Sequence, residues 1–221
     1  MVKIYLIRHC ESTGNKKKLF QGRDDADITE FGQKQLDCLK KRFENIPIDA
    51  AYSSPLIRAF KTAEAAADGH NIKVVPDPLF LEQFFGDWDG APIADIEALH
   101  PDFFDVWDNR PQDLRPVNGE SMTEVYERVW SGVLKLLDDP ENEGKSIIVA
   151  SHGAAIRTVI CRLLFNDIAK LAYTPWSINT AVSIIVKDES GIRLEYMNDV
   201  SHQPESLSKS GRLLYQKELN P

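Results

Sequence analysis

Residues 2–15 read VKIYLIRHCESTGN, and the fold of the chain can be worked out from this stretch. Residues 2–7 form a short apolar run, which is typical of a buried β-strand. Arg8 and His9 follow directly at the carboxyl end of that run. The polar segment 11–15 adds hydroxyl and amide groups around a flexible glycine, which suits a loop that binds phosphate. The stretch predicts a strand that delivers an arginine and a histidine to a ligand site.

Two further apolar runs, at 49–52 and 146–150, also end in small polar residues and lead into helical patterns. After the first run, Ser54 is predicted to cap a helix that ends near Gly69. After the second run, His152 precedes apolar residues that recur at helical spacing. Strands and helices therefore alternate along the chain, which is the order expected of a parallel sheet.

The remaining elements extend this pattern. An apolar stripe over 36–46 and a capping box that joins Ser121 to Glu124 predict two more helices. Apolar runs at 181–186 and 192–196 predict a pair of strands near the C-terminus. We therefore expect an α/β fold, a three-layer sandwich with a mainly parallel central sheet and helices on both faces. In such sheets, ligands bind beyond the carboxyl ends of the strands.

We expect a single domain over residues 1–221. Residues 82–113 predict a lid-like insertion, a short helical segment with one apolar side and a break at Pro101. The insertion holds nine acidic residues and one arginine, so its net charge of −8 equals that of the whole chain. From about residue 203 the sequence is polar, which predicts a surface tail.

The composition excludes several classes of protein. With 26 lysine and arginine residues against 34 acidic residues, the chain is a poor match to nucleic acid or to an anionic membrane surface. No apolar stretch approaches the ~18 residues that a membrane span needs. The three cysteines are odd in number and far apart, which indicates neither a disulfide framework nor a zinc site. We expect a cytoplasmic protein.

Further short motifs follow residues 8–15 in a fixed order along the chain. They are QG at 21–22, TEFG at 29–32, SSPLIRA at 53–59, TAE at 62–64, LEQFFGDWDG at 81–90, NGES at 118–121 and SHG at 151–153. Together with residues 8–15, this set resembles the histidine phosphatase superfamily, also called the phosphoglycerate mutase-like family. The resemblance covers nearly the whole chain up to about His202.

The resemblance implies a role for each matching position. His9 would be the nucleophile that becomes a phosphohistidine, and Glu82 would protonate the leaving oxygen. The phosphoryl group would be surrounded by Arg8, Arg58 and His152, with further substrate-binding positions at Ser12, Asn15, Gln21, Gly22 and Gly153. We expect burial among apolar neighbours to keep Glu82 protonated. Because a side chain is the nucleophile and cationic side chains stabilise the charge, no metal and no other cofactor is implied.

Three functions stay open at this point. The favoured one is a metal-independent phosphomonoesterase that acts through a phosphohistidine on a small phosphorylated metabolite. The alternative is a cofactor-dependent phosphoglycerate mutase, which must also hold a doubly phosphorylated intermediate. The acidic insertion is poorly suited to a second phosphate, and it indicates a substrate with a neutral, cationic or partly apolar body. A non-catalytic protein that binds phosphorylated ligands is disfavoured by the complete set of catalytic residue types.

Cys10 raises a fourth alternative, a cysteine-dependent phosphatase. Such enzymes need a cysteine, five residues and then an arginine, but the required position holds Lys16, which lacks the planar fork of a guanidinium. Cys10 is more simply a small packing residue, at a position where the family usually has Gly or Ala.

The expected partner is a small phosphorylated substrate, with neither nucleic acid nor membrane. The predicted strands near the C-terminus also offer a sheet edge through which a homodimer could form.

Overall fold

The computed structural model describes residues 1–208, apart from the side chains of Phe103 and Phe104. A six-stranded sheet has the strand order β3-β2-β4-β1-β5-β6. Its strands are β1 (Val2–Arg8), β2 (Ala50–Ser53), β3 (Val74–Pro76), β4 (Ser146–Ser151), β5 (Val182–Asp188) and β6 (Gly191–Asp199). The first four strands in this order are parallel, whereas β5 pairs antiparallel with both β1 and β6. The sheet is therefore mainly parallel, and the predicted C-terminal strand pair is confirmed.

Helices cover both faces of this sheet. They are α1 (Thr13–Lys17), α2 (Glu30–Phe43), α3 (Ile57–Ala67), α4 (Ile93–Leu99), α5 (Phe103–Asn109), α6 (Met122–Asp138), α7 (Gly153–Phe165) and α8 (Glu205–Ser208). Along β1, Ile4 and Leu6 join the core formed with α6 and α7, whereas Tyr5 and Ile7 join the core formed with α2 and α3. Both faces of β1 are buried, which is why its sequence is a continuous apolar run. The predicted three-layer sandwich is confirmed.

The starts of two helices test the capping predictions. Ser121 caps α6 through the predicted capping box. Ser54, however, does not cap α3, and that prediction is wrong. The helix begins at Ile57, with Leu56 at its N-cap position and no side-chain cap bond. The Ser54 hydroxyl accepts a long 3.4 Å hydrogen bond from the Leu56 N–H, and it lies 2.7 Å from Nε2 of His152, so its shorter contact is across the sheet.

The insertion at 82–113 folds into α4, α5 and three-residue 3-10 helices. Its apolar side chains Ile93, Ile96 and Trp107 are buried in the core shared with α6 and α7. Six of its acidic side chains are exposed, namely Asp87, Asp95, Glu97, Asp102, Asp105 and Asp113. The acidic charge of the insertion therefore faces solvent, and its apolar side faces the protein.

The predicted polar tail begins as a packed part of the fold. Gln203 is only 8% exposed, so the first residue of the tail is buried, contrary to the expectation of a surface segment. Helix α8 follows, and it packs against α2. The rest of the predicted tail, 209–221, lies outside the described residues. Within residues 1–208, no helix is long and apolar enough to cross a membrane.

Candidate active site

A small cavity of about 50 Å³ opens where β1 and β4 end. One part of its wall is polar, formed by Arg8, His9, Asn15, Gln21, Glu82 and Gly153. The other part is apolar, formed by Leu19, Phe20, Phe85, Trp107, Ala154 and Trp176. A wider groove of about 940 Å³ lies between α2 and α3, but none of the predicted site residues lines it. The parallel strands therefore bring most of the predicted residues to one edge of the sheet, as expected.

His9 follows the last residue of β1 and is buried. Its Nδ1 lies 2.6 Å from the carbonyl oxygen of Cys10. Because a carbonyl oxygen only accepts, Nδ1 carries the proton, and Nε2 of a neutral ring keeps its lone pair. Burial, and then the positive charges of Arg58 and Arg8, hold the pKa of His9 well below its ordinary value. The His9 ring is therefore a neutral imidazole at ordinary pH, which is the form that can attack phosphorus.

Two guanidinium groups flank this histidine. Arg58, on α3, is completely buried, and it donates hydrogen bonds to the carbonyl oxygens of Asp24 at 2.7 Å and of Gln21 and Gly22 at 3.2 Å. Arg8 donates to the carbonyl oxygen of Ser177. The hydrogen bonds from both guanidinium groups described here go to main-chain carbonyls, and the two groups place positive charge beside His9.

His152 lies between β4 and α7, and its ring centroid is 5.2 Å from that of His9. Its Nε2 contacts the Ser54 hydroxyl, whereas its buried Nδ1 has no hydrogen-bond partner among residues 1–208. Burial, followed by the charge of Arg58, lowers the pKa of His152 well below the usual value for histidine. The site therefore holds two neutral imidazoles beside two arginines.

Glu82 is buried, and its carboxylate lies at the N-terminus of α7. It accepts hydrogen bonds from the main-chain N–H groups of Gln83, Ala154 and Ala155 at 2.9, 3.1 and 3.0 Å. Two of the three donors, Ala154 and Ala155, lie in the first turn of α7, so the Glu82 carboxylate is held at the positive end of that helix.

The five predicted substrate-binding residues divide into two groups. Asn15, Gln21 and Gly153 line the cavity. Ser12 is fully buried behind it, where its hydroxyl donates to Oε1 of Gln21 at 2.6 Å and accepts from the main chain of Asn15 at 3.2 Å. Gly22 also lies outside the cavity wall, and a Cβ there would come within 2.5 Å of the Gln83 carbonyl oxygen. Ser12 and Gly22 therefore shape the site instead of lining it.

Sequence reasoning missed the aromatic part of the wall. The rings of Trp107 and Trp176 stack at a centroid distance of 5.7 Å and an interplanar angle of 9°. Phe20 packs at 4.9 Å from Phe85 and at 5.9 Å from Trp107. These residues come from three separate segments, so no local spacing could have identified them as one wall. The apolar pattern of the insertion was the one signal available.

The chain matches the family model of the histidine phosphatase superfamily (branch 1) over residues 4–200 and belongs to that superfamily. Phosphoserine phosphatase 1 of Hydrogenobacter thermophilus is 32% identical over 192 residues, which cover 86% of this chain and 88% of that protein. A probable phosphoglycerate mutase of Yersinia pestis is 30% identical over 164 residues, which cover 74% of this chain and 75% of that one. The structure of YhfR from Bacillus stearothermophilus is 30% identical and superimposes with a TM-score of 0.86, covering 91% of this chain and 99% of that chain.

Proposed function

We propose that this protein is a metal-independent phosphomonoesterase that forms a phosphohistidine at His9 and acts on a small phosphorylated metabolite. The observation that carries the proposal is the state of His9, a buried neutral imidazole with a free Nε2 beside two guanidinium groups. A phosphoryl group placed between Arg8 and Arg58 would meet the nucleophile and the cations needed for its developing charge.

The reaction then has two steps. In the first, Nε2 of His9 forms a bond to phosphorus while the bond from phosphorus to the alcohol oxygen breaks, and Glu82 gives that oxygen a proton. In the second, Glu82 takes a proton from water, the water oxygen bonds to phosphorus, and the phosphorus–nitrogen bond breaks. Inorganic phosphate leaves, and His9 is again neutral. His152, Asn15 and the Gly153 N–H complete the set of groups proposed around the phosphoryl oxygens.

The apolar wall supports a phosphatase over a mutase. A second phosphate would need cationic side chains in addition to those around His9. The described residues that form the rest of the cavity wall, outside its polar part, are apolar. Arg110, inside the insertion, pairs with Asp105, and Arg115, just beyond the insertion, pairs with Glu124; both arginines are exposed. The phosphoserine phosphatase relative also matches more of this chain than the mutase relative does. We infer a substrate whose alcohol part is neutral or partly apolar.

The test measures release of p-nitrophenol from p-nitrophenyl phosphate, beside a panel of phosphorylated metabolites that includes phosphoserine. His9→Ala should abolish turnover and leave the circular dichroism spectrum unchanged, and EDTA should leave the parent active. Full activity of His9→Ala would disprove the assignment of His9 as the nucleophile. Loss of activity in EDTA would indicate a metal-dependent enzyme. A parallel assay interconverts 2- and 3-phosphoglycerate with and without bisphosphoglycerate, and substantial turnover there would favour the mutase.

We also infer a cytoplasmic location and a homodimer. Cys10, Cys38 and Cys161 are all unpaired, which suits a reducing compartment. Among residues 1–208, strand β6 is the last strand of the sheet, and its outer edge is unpaired. Fractionation of the source cells and sedimentation of the purified protein measure the two inferences directly.

A further inference from the structure

The loop 177–181 holds the main chain of the two residues at the centre of the site. Arg8 N donates to the carbonyl oxygen of Ala181 at 3.1 Å, and Thr180 N donates to the carbonyl oxygen of Arg8 at 3.0 Å. Nδ2 of Asn179 donates to the carbonyl oxygen of His9 at 2.8 Å. The position of the His9 backbone therefore depends on the conformation of this loop.

That conformation is an unusual one. Thr180 has a φ of +55°, in the left-handed region that β-branched residues seldom adopt. Such a backbone persists only where its surroundings hold it. Gln203 provides contacts of this kind, because its Nε2 donates to Oγ1 of Thr180 at 2.6 Å and to the carbonyl oxygen of Asn179 at 2.8 Å.

Gln203 also reaches the other side of the turn that follows His9. Its Oε1 lies 3.5 Å from Nε2 of Gln35, a residue of α2. Oε1 of Gln35 accepts from the main-chain N–H of Glu11 at 2.8 Å, and its Nε2 donates to the carbonyl oxygen of Leu207 at 3.1 Å. Main-chain groups face both ends of the Gln35 amide and fix its orientation. The turn from His9 to Glu11 is thus held on one side by Asn179 and on the other by Gln35.

This network is closed to solvent. The exposed fractions are 1% for Gln35, 3% for Asn179, 0% for Thr180 and 8% for Gln203. Water therefore has little access to replace a lost hydrogen bond, and each donor that is removed leaves buried acceptors unsatisfied.

We propose that Gln203 is a positioning residue for the phosphoryl site, through which the segment 200–207 fixes the main chain of Arg8 and His9. The proposal rests on the proposed role of His9. Arg58 and His152 are held by other parts of the chain, since Arg58 contacts the carbonyl oxygens of 21–24 and His152 contacts Ser54. Loss of the Gln203 donor would therefore move the nucleophile relative to these two phosphate-binding groups, and would leave the groups themselves in place.

Two variants separate positioning from stability. Gln203→Met removes both donated hydrogen bonds at nearly constant volume, and Gln203→Glu keeps the oxygen that faces Gln35 while losing the donors. Each should lower kcat on p-nitrophenyl phosphate about tenfold or more, since a nucleophile misplaced by about 1 Å can cost a hundredfold. Inhibition by inorganic phosphate should weaken much less than kcat falls, because Arg58 and His152 keep their positions while Arg8 shifts together with His9. Gln33→Met is the matched control and should leave kcat unchanged. Gln33 is an exposed residue of α2 that donates a hydrogen bond to Asp37.

Measurements are made well below the unfolding midpoint of each variant, so that a lower Tm alone does not reduce kcat. A kcat within about twofold of the parent in either folded variant overturns the proposal, as does a loss of phosphate affinity that matches the loss of kcat. The five histidines of the chain give a readout that does not require turnover. In carbon-13 NMR spectra of histidine-labelled protein, the chemical shift of His9 should change in Gln203→Met, while the chemical shifts of His70 and His100 should not change.

The same spectra keep the two proposals distinguishable. If the unsubstituted protein binds phosphate but hydrolyses no ester, the proposed function is contradicted. The His9 signal of Gln203→Met would then still show whether Gln203 positions His9. An unchanged His9 signal in Gln203→Met overturns the positioning role whatever the parent hydrolyses.

Discussion

Acidifying the ligand-free protein from about pH 7.5 to about pH 5 should lower its free energy of unfolding, by about 2 kcal/mol through His202 and by a further amount through His9 and His152. The perturbation acts on three histidines that the fold keeps neutral. Burial and the charge of Arg58 hold the pKa values of His9 and His152 well below the ordinary value. Burial, followed by the charge of Arg42, lowers the pKa of His202 to about 4.

The sign follows from proton counting. In the unfolded chain these rings have pKa values near 6.5, so below that pH the unfolded state binds protons that the folded state does not. Stability is therefore complete above about pH 6.5 and is lost as the pH falls. His202, whose folded pKa is about 4, stays neutral down to about pH 5 and contributes a loss of about 2 kcal/mol, to which His9 and His152 add in the same direction. The contribution of His202 alone is a large part of the stability of many domains, about 5–15 kcal/mol.

The assay is urea unfolding followed by circular dichroism, in acetate and MES buffers without phosphate. His202→Gln should reduce the loss by about 2 kcal/mol, because one of the three contributing rings is absent. This variant leaves the cavity wall intact, since His202 does not line it. His100→Gln is the control, because that side chain is exposed at the end of α4, and it should keep the full loss. Added phosphate should reduce the loss, since a bound anion favours protonated histidines.

A total loss below about 2 kcal/mol would refute the reasoning, because it would mean that the buried rings take up protons without unfolding. An unchanged loss in His202→Gln would refute the part assigned to His202.

Two further substitutions test the site. Arg58→Lys should lower kcat/KM about a hundredfold, because a single ammonium group cannot replace the planar guanidinium that contacts three carbonyl oxygens. Arg193→Lys, at an exposed ion pair with Asp188, is the control and should leave kcat/KM unchanged. Equal kcat/KM in both variants would show that Arg58 does not act in the site. Gly32→Ala should destabilise the fold by about 1–3 kcal/mol and lower kcat, because the added Cβ would lie 2.2 Å from the Glu11 carbonyl oxygen. Thermal unfolding measures the destabilisation, and a Tm equal to that of the unsubstituted protein would contradict the close approach.

The sequence predicted which residues lie together at the cavity better than it predicted their contacts. The apolar run of β1 and the motif that follows it were sufficient to place Arg8 and His9 at the end of a central strand. Ser54 was assigned to a helix cap, because Ser before a helical pattern usually has that role, but it contacts His152 across 98 positions of sequence. A local rule cannot anticipate a partner that only tertiary packing brings near.

Glu82 and Gln203 show the same limit. The expected protonation of Glu82 came from its apolar sequence neighbours, whereas its closest polar contacts include main-chain N–H groups of α7, more than 70 positions away. Gln203 was placed in a surface tail because its surroundings in sequence are polar, and yet it is buried against the loop that holds His9.

The sequence by itself determined the layers of the fold, the order of its motifs and the side chains that meet at the end of β1, because periodicity and short motifs are local properties of the chain. Only the tertiary structure decided which nitrogen of His9 is free, which donors hold Glu82, and which aromatic rings form the cavity wall. These features depend on hydrogen bonds and packing between residues far apart in sequence, and their geometry exists only once the sheet has brought those residues together.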